Sequence, residues 1–274
     1  VRGDINCVDL AHIRNFGYAP DEHGNAPVKE LLDMSGCNIV DGESEEFGIS
    51  EKDVLSGLGW IKCKDIRLPE SIRAIGYSAL SYVETRTVRI PDKVESIGIG
   101  AFAHSCVSEM DIPSTVKSMG RFVFWDCQQL RRISLPEMKE IPFGAFSGCA
   151  LEQVHIPEGV EIIGDGAFEG CRMLSELTLP RSLKKIGMSA FVSCESLKSL
   201  TVPEGIDEIS EYAFGDNFLK SPLKELHYKA KEPCWIYGVT VVAGVEDCVL
   251  YVPRSSLFRF EVSGNWGFKD VAGE

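Results

Sequence analysis

Ile156-Pro157-Glu158-Gly159-Val160-Glu161-Ile162-Ile163-Gly164-Asp165-Gly166-Ala167-Phe168-Glu169-Gly170-Cys171-Arg172-Met173-Leu174-Ser175-Glu176-Leu177-Thr178-Leu179-Pro180 contains one full copy of the pattern that organises this chain. It begins and ends on an aliphatic residue followed by proline. The same pair returns at Leu68-Pro69, Ile90-Pro91, Ile112-Pro113, Leu135-Pro136 and Val202-Pro203. Successive prolines from Pro69 to Pro203 stand 22, 22, 23, 21, 23 and 23 residues apart. Self-similarity at a fixed period of this length predicts stacked, similar coils rather than a single closed core.

Other columns keep the same period. An aliphatic residue follows each pair at Ile72, Val94, Val116, Val160, Leu183 and Ile206, with Met138 in the shortened copy. Next come Ile75, Ile97, Met119, Ile141, Ile163, Ile186 and Ile209, usually followed by glycine. Phe102, Phe124, Phe146, Phe168, Phe191 and Phe214 form a third column, with Leu80 in the first copy. Cys127, Cys149, Cys171 and Cys194 form a fourth, ending on Asn217. Cys106 sits one place late, so Ser105 is expected in its slot.

Each column has a physical reason. Alternating aliphatics before the proline read as a short strand with one face on the core. Proline ends that strand because it has no N–H to donate. The glycine is expected to relieve a bend or a positive φ. Phenylalanine should fill the coil, and cysteine should act as a small buried hydrophobe at a corner.

The motif I-P-x-x-V-x-x-I-G-x-x-A-F-x-x-C-x-x-L-x-x-L resembles the BspA-like, or Treponema pallidum type, leucine-rich repeat family, over roughly residues 64–228. The resemblance implies a curved right-handed superhelical solenoid. It should carry a parallel β-sheet of short strands, an irregular or 3₁₀ convex side, and a cap at each end.

The expected segments are an amino-terminal cap over 1–45, about seven repeats of 21 to 23 residues over 46–228, and a closing coil over 229–274. In the first cap, Gly3-Asp4-Ile5-Asn6, Asp9-Leu10 and Ile13-Arg14 suggest a short helix. Val28 to Ser35 reads as the first strand. This leader also resembles the one before such repeats in Bacteroides-type surface proteins. Asp4-x-Asn6-x-x-Asp9 echoes half a calcium loop, but its spacing fits a helix N-cap better. At the other end, Tyr251-Val252-Pro253, Trp266 and Phe268 resemble the family's closing coil. Trp235, Tyr237, Phe258, Phe260, Trp266 and Phe268 are expected to cover the last apolar face.

The 274 residues carry a formal net charge of −13, which disfavours nucleic acid and anionic membrane surfaces. No apolar run is long enough to span a bilayer. A start at Val1-Arg2-Gly3-Asp4 suggests a trimmed product that has lost a targeting segment. The ten cysteines include no C-x-x-C pair. Coils about 4.8 Å apart keep thiols farther than the roughly 3.8 Å that disulfide Cβ atoms need, so the cysteine column should stay reduced. Cys7 with Cys37, and Cys234 with Cys248, stay open as bridges within the caps.

No metal or cofactor motif, nucleophile elbow or phosphate loop is present, and the five histidines are scattered. His104 and Cys106 stand two residues apart, without an evident group to orient the histidine. No enzyme activity and no cofactor are therefore expected.

Two outward strand columns are readable. One runs Arg67, Arg89, Asp111, Ser134, His155, Thr178, Thr201 and His227. The other runs Asp65, Thr87, Glu109, Arg132, Gln153, Glu176, Ser199 and Glu225. Arg67, Arg89, Glu109, Asp111, Arg132, Ser134, Gln153, His155, Glu176, Thr178 and Thr201 are the candidate partner-facing residues, basic in the early coils. Trp125 stands where other copies hold Ala103, Ser147, Glu169 and Val192, as an anchor or as corner packing. The resemblance implies a monomeric, non-enzymatic module of a secreted or cell-surface protein, one with a lipid anchor upstream of residue 1 included. It would bind host matrix, cell-surface or other bacterial proteins. A carbohydrate-binding surface protein is the alternative, with the carboxy-terminal aromatics as its candidates.

Overall fold

A computed structural model of the chain describes residues 1–6, 9–10, 12–13, 29–44, 48–50, 54–55, 58–59, 61, 63–215, 221–232, 245–262 and 268–274. Its contacts divide the chain into two compact units, Val1–Pro136 and Glu137–Glu274. The division falls at the single 21-residue repeat. Each unit is a stack of parallel coils with very little helix.

In the first unit the outward strands pair in parallel, Lys29–Asp33 with Cys63–Arg67 and that with Val88–Arg89. Glu109–Asp111 pairs likewise with Arg132–Ser134. A second ladder has strands only two residues long. It joins Val54–Leu55, Ala74–Ile75, Ser96–Ile97 and Ser118–Met119. The second unit repeats the plan. Gln153–His155 lies beside Glu176–Thr178, and Ser199–Val202, Glu225–Tyr228, Val249–Val252 and Asp270–Gly273 form one parallel sheet. Its two-residue ladder runs through Glu140–Ile141, Ile162–Ile163, Lys185–Ile186 and Glu208–Ile209. The first strand column was legible in the sequence. The two-residue ladder was not, because two residues show no alternation.

The core is made of the columns. All six phenylalanines are buried, and Phe102–Phe124, Phe146–Phe168, Phe168–Phe191 and Phe191–Phe214 stack with centroids 5.1, 5.3, 5.7 and 6.0 Å apart. Each buried ring contributes on the order of 1.5–3 kcal/mol by area, and offset stacking adds to that. Cys127, Cys171 and Cys194 donate their thiols to the carbonyls of Phe102, Phe146 and Phe168 of the preceding coil, at 3.0, 3.1 and 3.2 Å. Ser105 takes the cysteine slot as expected. It is buried, with Oγ 3.3 Å from Cys127 Sγ. Asn217 lies outside the described residues.

The glycine after the isoleucine column does not serve a positive φ. A Cβ on Gly98, Gly120, Gly164 or Gly187 would stand 2.7, 2.3, 2.8 or 2.5 Å from backbone of the preceding coil. The coils touch there, and only a missing side chain permits it. Positive φ occurs two residues later, at Ser78, Gly100, Phe122, Gly144, Gly166, Ser189 and Tyr212. It occurs again at Tyr82, His104, Asp126, Gly148, Gly170 and Ser193.

The ends differ in detail from expectation. Arg2–Ile5 is a strand parallel to Gly36–Ile39 rather than part of a helix. A helical turn follows at residues 9–10 and 12–13. Asn6 and Asp9 cap it reciprocally. The Asn6 amide donates to Asp9 Oδ2 at 2.9 Å, and the Asp9 amide donates to Asn6 Oδ1 at 3.4 Å, which fits the N-cap reading. At the other end Tyr228, Val245, Cys248, Leu250 and Val252 are buried. Phe258 was expected on that core but is 73% exposed on the helix Leu257–Val262, and Phe268 is half-buried. Trp235, Tyr237 and Trp266 lie outside the described residues, as do Cys7 and Cys234.

Candidate functional site

All eleven candidate strand-face residues are exposed, because strict alternation turns the residues between them inward. In the first unit, register places Arg67 beside Arg89, Glu109 beside Arg132, and Asp111 beside Ser134. In the second it places Gln153 beside Glu176, His155 beside Thr178, and Thr201 beside His227.

The basic character read from the early coils is largely neutralised. Arg67 lies 3.5 Å from Asp33. Arg89 holds Glu70 and Asp92 at 2.7 and 3.0 Å, and Arg132 lies 3.8 Å from Glu109. Hydrogen bonds from Ser35 hold the Asp33 carboxyl below its ordinary range, with Arg67 assisting. These pairs are exposed, so each adds little to stability.

In the second unit, Thr178 and Thr201 line an open groove of about 840 Å³ with Arg181, Pro203, Glu204 and Lys229. His227 stacks on Tyr251 at 4.7 Å and meets Glu274 Oε2 at 2.9 Å through Nδ1. Lys229 also pairs with Glu274, and together they hold the Glu274 carboxyl low.

On the turn side of the first unit, Trp125 is 43% exposed. His104 lies between it and Tyr82, with Nδ1 3.0 Å from Asp126 Oδ2. Sequence reasoning missed this carboxylate. Its signal was the slot Tyr82, His104 and Asp126 share in successive coils. It does not make a nucleophile of Cys106. No hydrogen bond or ion pair joins Cys106 to His104 among the described residues, and burial pushes that thiol up, away from the reactive thiolate. Burial likewise pushes Cys63 up to about 11, and Cys171 and Cys248 up to about 12. Among the described residues no group of three or more histidine, cysteine or acidic side chains is placed to hold a metal ion. No helix among them is long and apolar enough to cross a membrane.

The family model for the BspA type leucine rich repeat region matches residues 59–151 and 139–229, with six copies. The chain belongs to that family. The chain is similar in fold to a leucine-rich repeat protein from Bacteroides ovatus. It is 22% identical, with a TM-score of 0.54 over 89% of this chain and 63% of that one. A leucine-rich repeat protein from Eubacterium ventriosum is 24% identical, with a TM-score of 0.53 over 67% and 57%. The chain thus spans less than two thirds of the length of either structure. A leucine rich cell surface protein from Faecalibacterium prausnitzii is 18% identical over 91% and 89%, with a TM-score of 0.41. No curated protein matches.

Proposed function

We propose that this BspA-type chain is a non-enzymatic binding module of a secreted or cell-surface protein, which takes a protein partner on its outward strand columns. One observation carries the reading. The strand face is an exposed, polar, rigidly registered surface, and in Glu137–Glu274 it opens into a groove edged by Thr178 and Thr201. Repeat folds of this kind recognise partners through such extended regular surfaces. Pre-organisation favours binding, because the strand amides are already engaged in the inter-coil ladder and little ordering remains to be done.

The test uses an array of extracellular-matrix and bacterial surface proteins, probed with three forms of the chain. One is unaltered, one carries Arg67→Glu, Arg89→Glu and Arg132→Glu, and one carries Thr178→Arg and Thr201→Arg. Every changed side chain is exposed, so the fold should survive. The reading expects a protein retained by the unaltered chain and at least tenfold weaker with one of the variants. Retention at full strength by both variants would overturn it.

A further inference from the structure

The turn side of Val1–Pro136 carries an arrangement that the strand-face reading does not use. Among the described residues, two positions in six coils adopt left-handed backbone, a conformation glycine takes without penalty and bulky residues resist. Gly100, Gly144 and Gly166 fill the first position in three coils, and Gly148 and Gly170 fill the second in two. Phe122 occupies the first at φ 57°, while Tyr82 and His104 occupy the second at 58° and 57°. Three aromatic residues therefore sit, in successive coils, where sister coils use glycine. Ser78, Asp126, Ser189, Ser193 and Tyr212 also take these positions, so what distinguishes these coils is that three rings there stand close together.

The rings meet. Tyr82 stacks on His104 with centroids 4.5 Å apart, Trp125 meets His104 at 4.6 Å and 62°, and Phe122 lies 5.8 Å from Trp125. Trp125 and Tyr82 remain partly open to solvent. Polar groups border them. Asp126 accepts from Gln128 Nε2 at 2.9 Å and pairs with His104. The amides of Tyr82, His104 and Trp125 already donate to Ala103, Trp125 and Phe122 carbonyls, so a peptide strand finds no open edge there.

We propose that this cluster is a platform for a neutral saccharide. The apolar C–H face of a pyranose lies on Trp125, and its hydroxyls bond to the His104, Asp126 and Gln128 side chains. Aromatic rings beside polar tips suit an amphipathic ligand of this kind. Asp126 and the net charge of −13 disfavour sialylated or sulfated sugars. This site lies on a different face from the strand columns and stands or falls separately from them.

The experiment is an array of neutral oligosaccharides ending in galactose, glucose, mannose or N-acetylglucosamine, probed with the full chain and followed by titration of the best-bound one. Trp125→Ala should weaken binding at least tenfold, and Arg67→Glu should leave it unchanged. Tyr82→Gly and His104→Gly restore the residue found at Gly148 and Gly170. They should weaken binding tenfold without lowering the melting midpoint. Four results would each overturn the proposal. No oligosaccharide is retained at millimolar concentration, or Trp125→Ala binds as the unaltered chain does. The glycine variants melt markedly lower, which makes the rings packing, or Trp125→Ala abolishes binding of a protein rather than a sugar.

Discussion

Gly98 and Gly100 stand two residues apart in one turn, yet they should fail for different reasons. A Cβ on Gly98 would lie 2.7 Å from the Gly76 carbonyl carbon, 2.9 Å from its oxygen and 2.9 Å from the Tyr77 amide nitrogen. Carbon contacts are comfortable near 3.5–4.0 Å, so the two coils must part by about 1 Å. The Gly98 amide donates to Ile75 at 2.6 Å, and Ser96 and Ile97 pair with Ala74 and Ile75, so parting strains those bonds too. Overpacking of about 1–3 kcal/mol and roughly 1 kcal/mol of weakened hydrogen bonding give Gly98→Ala a loss of about 3 kcal/mol. At Gly100 a Cβ meets nothing closer than the Ser78 hydroxyl at 3.3 Å, but φ is +61°. Gly100→Ala should lose about 1 kcal/mol, and Gly100→Asn less, because asparagine tolerates left-handed backbone. Gly98→Asn should be no better than Gly98→Ala. Urea unfolding followed by circular dichroism, with midpoints compared at equal slope, measures all four. If Asn rescues position 98, or Gly98→Ala costs no more than Gly100→Ala, close coil contact is not the reason for this glycine column.

Phe168 stacks on both Phe146 and Phe191, so Phe168→Ala should lose about 3–5 kcal/mol in the same assay, and a loss below about 1 kcal/mol would contradict a shared ring core. The Ser182 hydroxyl donates to Val160 O at 2.7 Å and accepts from Gly159 N at 2.9 Å. Ser182→Ala should therefore cost about 1–3 kcal/mol, and an unchanged midpoint would show that water replaces it. Cys171 is pushed up to about 12 in the folded chain, whereas an unfolded thiol titrates near 8.5. The unfolded chain thus loses this proton first. The stability involved is fully present below about pH 8.5 and falls above it, by about 1.4 kcal/mol per pH unit for one such thiol. Urea midpoints under reducing conditions at pH 8 and 10 should show that decline, smaller in Cys171→Ala. A midpoint that rises with pH, or an equal decline in the variant, would refute the assignment.

What the sequence could reveal depended on whether the cause was local. The phenylalanine and cysteine columns were legible because burial in a repeat imposes the same side chain every 22 or 23 residues. The glycine column was visible, but its reason was misread. The reason lies in backbone of the neighbouring coil, which no local pattern reports. The strand face was read as basic because the columns were taken residue by residue. Read as pairs one coil apart, Asp33 with Arg67 and Glu109 with Arg132 show neutralisation directly. His104 and Asp126, also one coil apart, were open to the same reading. Phe258 was misplaced because no repeat register reaches that far, and hydrophobicity alone does not point a side chain inward.

The turn wall of each unit has a direction. Gly144, Phe146 and Gly148 donate to Asp165, Ala167 and Glu169, and those coils' Gly166, Phe168 and Gly170 donate in turn to Met188, Ala190 and Val192. Each of these coils offers its successor the same donors and receives from it the same acceptors, so one such coil can replace another without leaving a polar group stranded. Recombination between copies of the repeat can therefore lengthen or shorten such a chain by whole coils at once. Loss of a single residue inside the wall would move each later donor off its acceptor, whereas the 21-residue repeat takes its loss between Pro136 and Ile141, before the wall begins.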